Sequence, residues 1–167
     1  MATSSDASTR PPMNSLELRI PPLALVLLFA FAMALLAWLL PGVAMARPGW
    51  ALAAVAALPA LAGAGFALAG VMAFRRAHTT VNPMTPGSSS SVVTTGVYRW
   101  SRNPMYVGFL LVLAGWAIFL GHPVAALLLP LFVTTMNRVQ IVPEERVLQA
   151  KFGPAYADYR RRVRRWL

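Results

Sequence analysis

The stretch LALVLLFAFAMALLAWLL, residues 23–40, runs for 18 residues without a charge, between Pro21-Pro22 and Pro41-Gly42. As a helix it is long enough to cross a hydrocarbon core about 30 Å thick. Working outward, residues 50–74 form a second uncharged run of 25 residues, interrupted only by Pro59 and lightened by Ala60, Gly63, Ala64 and Gly70. Small residues let membrane helices approach closely, and neighbouring helices re-satisfy the carbonyl that a proline frees, so these positions read as packing. A third apolar run covers residues 105–120 and a fourth begins at Pro123 and stays apolar to Val133. Gly121-His122-Pro123 between them is a turn signal, which predicts a tight helical hairpin. Toward its end the fourth run admits Thr134, Thr135, Asn137, Arg138 and Gln140. Polar groups at that depth are costly against lipid and are expected to face a cavity or reach the interface.

Composition agrees with a membrane chain. Of 167 residues 57% are hydrophobic and 12% charged, against about 25% charged in an ordinary soluble domain. Cysteine is absent, which excludes disulfides, iron–sulfur clusters, cysteine-ligated zinc and thiol catalysis. His78 and His122 are too few for a histidine-rich metal centre, so no metal is expected. The fold class read from these features is all-α: a polytopic membrane helix bundle of about four transmembrane helices with a C-terminal amphipathic interfacial helix.

The basic residues orient the bundle. Of fifteen Lys and Arg, Arg47 alone falls between the first and second spans, and none falls between the third and fourth. All others lie before the first span, between the second and third, or after the fourth, on the side that the positive-inside rule assigns to the cytoplasm. The competing reading takes Ala44-Met45-Ala46 as a signal-peptidase site, but a leader of 46 residues is unusually long and its removal would break the even topology. The expected organisation is a mobile cytoplasmic N-terminus (1–20), two helices (21–76), a cytoplasmic loop (77–104) entered through a flexible Gly87-Ser88-Ser89-Ser90-Ser91 stretch, a helical hairpin (105–142), and cytoplasmic C-terminal helices (143–167).

The net charge of +10 invites a nucleic-acid reading, but its distribution opposes it. Five arginines fall within residues 160–167, while Tyr156, Tyr159, Val163 and Trp166 recur at spacings of three and four. That pattern predicts an amphipathic helix lying on an anionic cytoplasmic leaflet, with anchoring as its first role and closure over a cofactor as its second.

Three groups carry chemistry. Tyr98, Arg99, Trp100, Arg102, Asn103 and Tyr106 crowd the entry to the third span and can hold an anion and stack on a flat ring; an interfacial aromatic belt with positive-inside arginines is the other reading of the same residues. Glu144-Glu145 follow the fourth span, where a helix starting after Pro143 would offset part of their repulsion through its dipole, or where they bind a cation or a ligand's hydroxyls and amine. Phe152-Gly153-Pro154 is a break that folds the last helix back towards that pair. The combination suits a ligand with both charge signs and a flat ring, and S-adenosylmethionine has that chemistry. Methyl transfer from it needs positioning, exclusion of water and electrostatic support, without metal or covalent nucleophile. The chain has no Gly-x-Gly-x-x-Gly following a strand, so it is not a Rossmann methyltransferase.

In the last 75 residues or so, Thr95 to Gly108 with its Arg102-Asn103-Pro104-Met105-Tyr106-Val107-Gly108, then Glu144-Glu145, then Phe152-Gly153-Pro154-Ala155-Tyr156-Ala157-Asp158-Tyr159, then Arg162 to Trp166 resembles the isoprenylcysteine carboxyl methyltransferase and phospholipid N-methyltransferase superfamily. That pattern is Arg-His-Pro-x-Tyr-x-Gly, a Glu-Glu pair, and Phe-Gly-x-x-Tyr-x-x-Tyr. The resemblance implies S-adenosyl-L-methionine as methyl donor and a lipophilic or lipid-linked acceptor entering from the bilayer of an inner or plasma membrane. It implies a cytoplasmic cofactor site of Tyr98, Arg99, Arg102, Asn103, Pro104, Tyr106, Gly108, Glu144 and Glu145, with Arg102, Asn103 and Tyr106 as positioning candidates. Asn103 departs from the family histidine: it hydrogen-bonds in both directions but carries no proton. Two other classes stay open. An NADPH-dependent sterol-type reductase would use the arginines for a 2′-phosphate, which the glutamate pair would repel, and a non-enzymatic scaffold would leave the clustering unused.

Overall fold

The computed structural model describes residues 20–46, 49–77 and 91–167. The N-terminal segment through residue 19, Arg47, His78 and residues 87–90 of the expected flexible loop lie outside the described residues. Among the described residues the regular elements are all helical: α1 (Pro22–Leu39), α2 (Trp50–Arg76), α3 (Pro104–Leu120), α4 (Pro123–Ala126), α5 (Leu128–Met136) and α6 (Val142–Arg162). A π-helical turn, Asn137–Ile141, joins α5 to α6 without a break. Helices α1, α3 and α4 each begin on a proline, whose missing N–H has no partner to lose at the first helical position.

Helices α1, α2 and the continuous run Pro123–Arg162 are long and apolar enough to cross a membrane, and α3 is a shorter apolar helix. The polytopic bundle is therefore present, with three helices of spanning length and a fourth, α3, of 17 residues. Helix α3 sits in the middle, with α2 on one side and α1, α4 and α5 on the other. Its contact with α2 is made by small residues. A Cβ at Gly63 would lie 2.5 Å from the Gly108 carbonyl oxygen, one at Gly108 would lie 2.5 Å from that of Gly63, and one at Gly115 would lie 2.7 Å from that of Ala56. On the opposite side Leu25, Val26, Phe29 and Met33 of α1 pack with Leu113, Ala117, Phe132, Met136 and Ile141. The Phe29 and Phe132 rings meet edge to face at 5.3 Å, and Trp116 Nε1 donates to the Ala30 carbonyl at 3.0 Å.

The expected turn between α3 and α4 is found. Gly121 adopts the left-handed conformation (φ 59°), which glycine enters without a Cβ penalty. Buried His122 caps α4: its Nδ1 accepts from the Ala125 amide at 3.3 Å, so Nε2 carries the hydrogen and faces the Leu40 carbonyl at 3.0 Å. The Met45 amide donates to the Gly121 carbonyl at 2.9 Å, which joins the α1–α2 connection to this turn.

Two local expectations change. No free helix N-terminus exists at Pro143, because α6 continues from the π turn and Ile141 is itself helical, so no end dipole is available to offset the charge of Glu144 and Glu145. The last helix also stops at Arg162, with Val163 extended; Val163 still packs with Tyr156 and Tyr159, whereas Trp166 packs against the other core cluster. The faces of Tyr156 and Tyr159 are buried in the protein with Val93 and Tyr98, against Phe74, Val97 and Phe152. The break at Gly153 is present, with φ 52° and ψ −123° inside α6, and Gln149 Nε2 bonds its carbonyl at 2.9 Å.

Candidate functional site

Residues 91–103 lead into α3 and carry the first motif. A short 3₁₀ turn, Gly96–Arg99, buries Tyr98 and leaves Arg99 and Trp100 exposed. The Tyr98 ring stands edge-on to Phe74 at 5.3 Å, and its carbonyl accepts the Tyr159 hydroxyl at 2.8 Å. Burial, reinforced by Tyr159 and Glu144, pushes the Tyr98 hydroxyl well above the ordinary phenol range, so it stays a neutral donor.

Consecutive helical residues point about 100° apart, and the glutamate pair is accordingly divided between two partners. Glu144 accepts a hydrogen bond from the Tyr106 hydroxyl. Glu145 is bound by two arginines: Arg102 Nη2 at 3.0 Å, and Arg165 through Nε at 3.1 Å and Nη2 at 2.7 Å. The Arg102 and Glu145 side chains are 10% and 8% exposed, so this ion pair is shielded from water and salt far more than a surface pair. Arg102 Nε is buried without a hydrogen-bond partner. Two guanidinium groups share this one carboxylate, and an unpartnered buried donor is costly until an acceptor reaches it.

The tail after α6 closes the arrangement. The Arg102 amide donates to the Arg164 carbonyl at 2.9 Å. Asn103 Nδ2 and Ser101 Oγ donate to the Arg165 carbonyl at 2.9 and 3.3 Å, and Trp166 Nε1 donates to Asn137 Oδ1 at 3.1 Å. In the π turn, buried Gln140 donates through Nε2 to the Ile20 carbonyl, which ties the start of α1 to the base of α6. π turns inside α-helices are frequent at functional sites.

Of the residues read from sequence, Arg102, Glu145 and Asn103 are joined through Arg165 into one polar network, and Tyr106 and Glu144 form a separate hydrogen-bonded pair beside it. Tyr98 belongs to the adjoining aromatic cluster, Pro104 is buried as the first residue of α3, and Arg99 is exposed. Gly108 lies in the α2–α3 contact facing Gly63. Sequence reasoning placed Arg165 and Trp166 in C-terminal helices at the leaflet that complete the cofactor site, without giving either residue a role, and did not single out Ser101. The signal for Arg165 was weak because an arginine in an arginine-rich tail has no distinguishing spacing.

Fold and site together define an integral membrane protein with a charged, mostly buried network at one end of its bundle. The phospholipid methyltransferase family model matches residues 50–155. An uncharacterized protein of Haemophilus influenzae is 43% identical over 63 residues, covering 38% of this chain and all of that protein. Protein-S-isoprenylcysteine O-methyltransferase of Schizosaccharomyces pombe is 38% identical over 72 residues, which is 43% of this chain and 30% of that enzyme. The mouse enzyme of the same name is 37% identical over 73 residues, 44% of this chain and 26% of that enzyme. The chain thus matches less than a third of the length of either enzyme. No solved structure matches. The chain belongs to the phospholipid methyltransferase family.

Proposed function

We propose that the chain transfers a methyl group from S-adenosylmethionine to a lipophilic acceptor at the membrane surface. The observation that carries this reading is the unpartnered buried Nε of Arg102, beside a carboxylate that Arg102 and Arg165 already share. An anionic group of a ligand would complete that set, and the methionine carboxylate of the donor has the required charge and acceptor atoms. The donor set therefore fits the cofactor that the family implies.

In this reading Arg102 holds the carboxylate, with Arg99 at the exposed rim. Glu145 keeps both inner arginines in place. Glu144, oriented by the Tyr106 hydroxyl, takes the ribose or the amine, and Tyr98 supports the aromatic wall behind it. When bound, S-adenosylmethionine supplies an electrophilic methyl group on a sulfonium. The residues then contribute orientation and exclusion of water rather than acid–base chemistry. A carboxylate acceptor needs no base for this step, and an oxygen acceptor agrees with the relatives named protein-S-isoprenylcysteine O-methyltransferase; it would enter laterally between helices. Helices α1 and α2 serve as membrane scaffold, while residues 91–103 and 142–167 supply the site on the cytoplasmic side of a plasma or inner membrane. The exposed Arg160, Arg161, Arg162 and Arg164 suit contact with anionic headgroups.

Calorimetry of the detergent-purified chain with S-adenosylhomocysteine, run beside NADPH, tests the proposal. Micromolar binding of the first, abolished by Arg102→Ala in protein that retains its helical circular-dichroism spectrum, is the expected result. Binding of NADPH alone would replace methyl transfer with reduction, and binding of neither would remove the enzymatic reading.

A further inference from the structure

After Arg162 the chain leaves the helix and lays residues 163–167 against the entry to α3. The turn at 101–103 offers three donors to two successive tail carbonyls: the Arg102 amide to Arg164, and Asn103 Nδ2 and Ser101 Oγ to Arg165. Ser101 is fully buried, and its Oγ also accepts the Asn103 amide at 3.0 Å. The Arg165 side chain starts from the carbonyl-bearing residue held in this way and meets Glu145 through both Nε and Nη2. Such two-point guanidinium–carboxylate geometry tolerates little displacement.

The geometry points to Asn103 as a positioning residue for the methyl-donor site, acting through Arg165. Its amide fixes the Arg165 carbonyl and so sets the pose in which that guanidinium engages Glu145 and leaves Arg102 with a donor to spare. A side chain with a hydrogen to donate is required, because the group it faces is a carbonyl oxygen. Aspartate has nearly the same shape but presents lone pairs to that oxygen. This inference rests on the methyl-donor reading and deepens it, giving the non-titrating residue in the first motif a defined task.

The test uses the full chain in detergent with Asn103→Ala, Asn103→Asp and Asn103→His, the last retaining a ring N–H. Two quantities are read: the affinity for S-adenosylhomocysteine, and the rate at which a carboxypeptidase removes Trp166, followed by intact mass. The Ala and Asp variants are expected to lose Trp166 faster and to bind about tenfold more weakly, the scale of one lost hydrogen bond with its induced disorder. The His variant is expected to stay within about twofold of the parent on both counts. Unchanged trimming in the Ala and Asp variants would overturn the claim that Asn103 holds the tail. Faster trimming with unchanged affinity would overturn the claim that the tail's pose sets the site. If the parent chain itself fails to bind S-adenosylhomocysteine, the methyl-donor reading falls, and the trimming rates alone still decide whether Asn103 holds the tail.

Discussion

Glu145 receives two arginines from segments far apart in the chain, one in the turn before α3 and one in the tail after α6. Removing the carboxylate therefore leaves two cations near each other with no common counter-ion, and removing Arg165 alone leaves Arg102 to neutralise it. A double-mutant cycle with Glu145→Gln and Arg165→Met isolates this coupling, because the residues share a direct contact. Arg165 is 34% exposed, so solvent screening limits the expected coupling to about 1–2 kcal/mol in unfolding free energy. Additive effects in chemical unfolding would show that the pair is only a surface contact. At this scale the sequence was informative for Arg102, Tyr106 and the glutamates, whose order and spacing stand out from an apolar background. It could not divide the tasks of Glu144 and Glu145, since that follows from the helical rotation between neighbours and from the partner each one meets. Nor could it direct Arg165 inward, because the direction of a chain past its helix end depends on which carbonyls find donors.

Between elements, the closest approach is that of α2 to α3, where glycines on both helices leave each carbonyl within van der Waals reach of the other helix. Dispersion between closely spaced backbones is a main source of helix association in lipid. Gly108→Ala would place a methyl 2.5 Å from the Gly63 carbonyl oxygen and 2.9 Å from the Ala67 amide, and neither backbone group can rotate away. The expected cost is about 1–3 kcal/mol of overpacking, seen as a lowered midpoint of thermal unfolding in detergent. Gly65 on the same helix meets nothing within 4 Å, so Gly65→Ala is expected to be neutral or to gain up to about 1 kcal/mol from helix propensity. Equal effects at the two positions would remove the close contact from the account. The small residues of α2 identify it from sequence as a packing helix, but its partner is not visible there. Gly108 reads as part of a ligand motif because it stands beside Tyr106, whereas the two residues face different sides of α3. The amphipathic C-terminal helix is present, but what covers its apolar face is not legible from sequence for a related reason. Tyr156 and Tyr159 do share a helical face, yet the loop carrying Val93 and Tyr98 covers it, and periodicity cannot distinguish a face covered by protein from one covered by lipid.

At the scale of the whole molecule, chain direction separates two ends. The α1–α2 connection meets the α3–α4 turn at one end, through Leu40 with His122 and Met45 with Gly121. The end of α2, residues 91–103 and α6 with its tail gather at the other. Every Lys and Arg among those described lies towards this second end, which the proposed orientation puts on the cytoplasmic side by the positive-inside rule. A water-soluble donor with charged groups would reach the arginine network from there, while a lipophilic acceptor would remain in the bilayer. The chain lacks cysteine, so single cysteines report sidedness without background. Met45→Cys lies at the first end at a residue 82% exposed, and Asp158→Cys lies at the second on an exposed side chain. A membrane-impermeant maleimide applied to intact cells is expected to label the first and to reach the second only after permeabilisation. The reverse pattern would put the arginine-bound site outside the cell, away from any intracellular methyl donor, and would overturn the proposed orientation together with the route by which donor and acceptor meet.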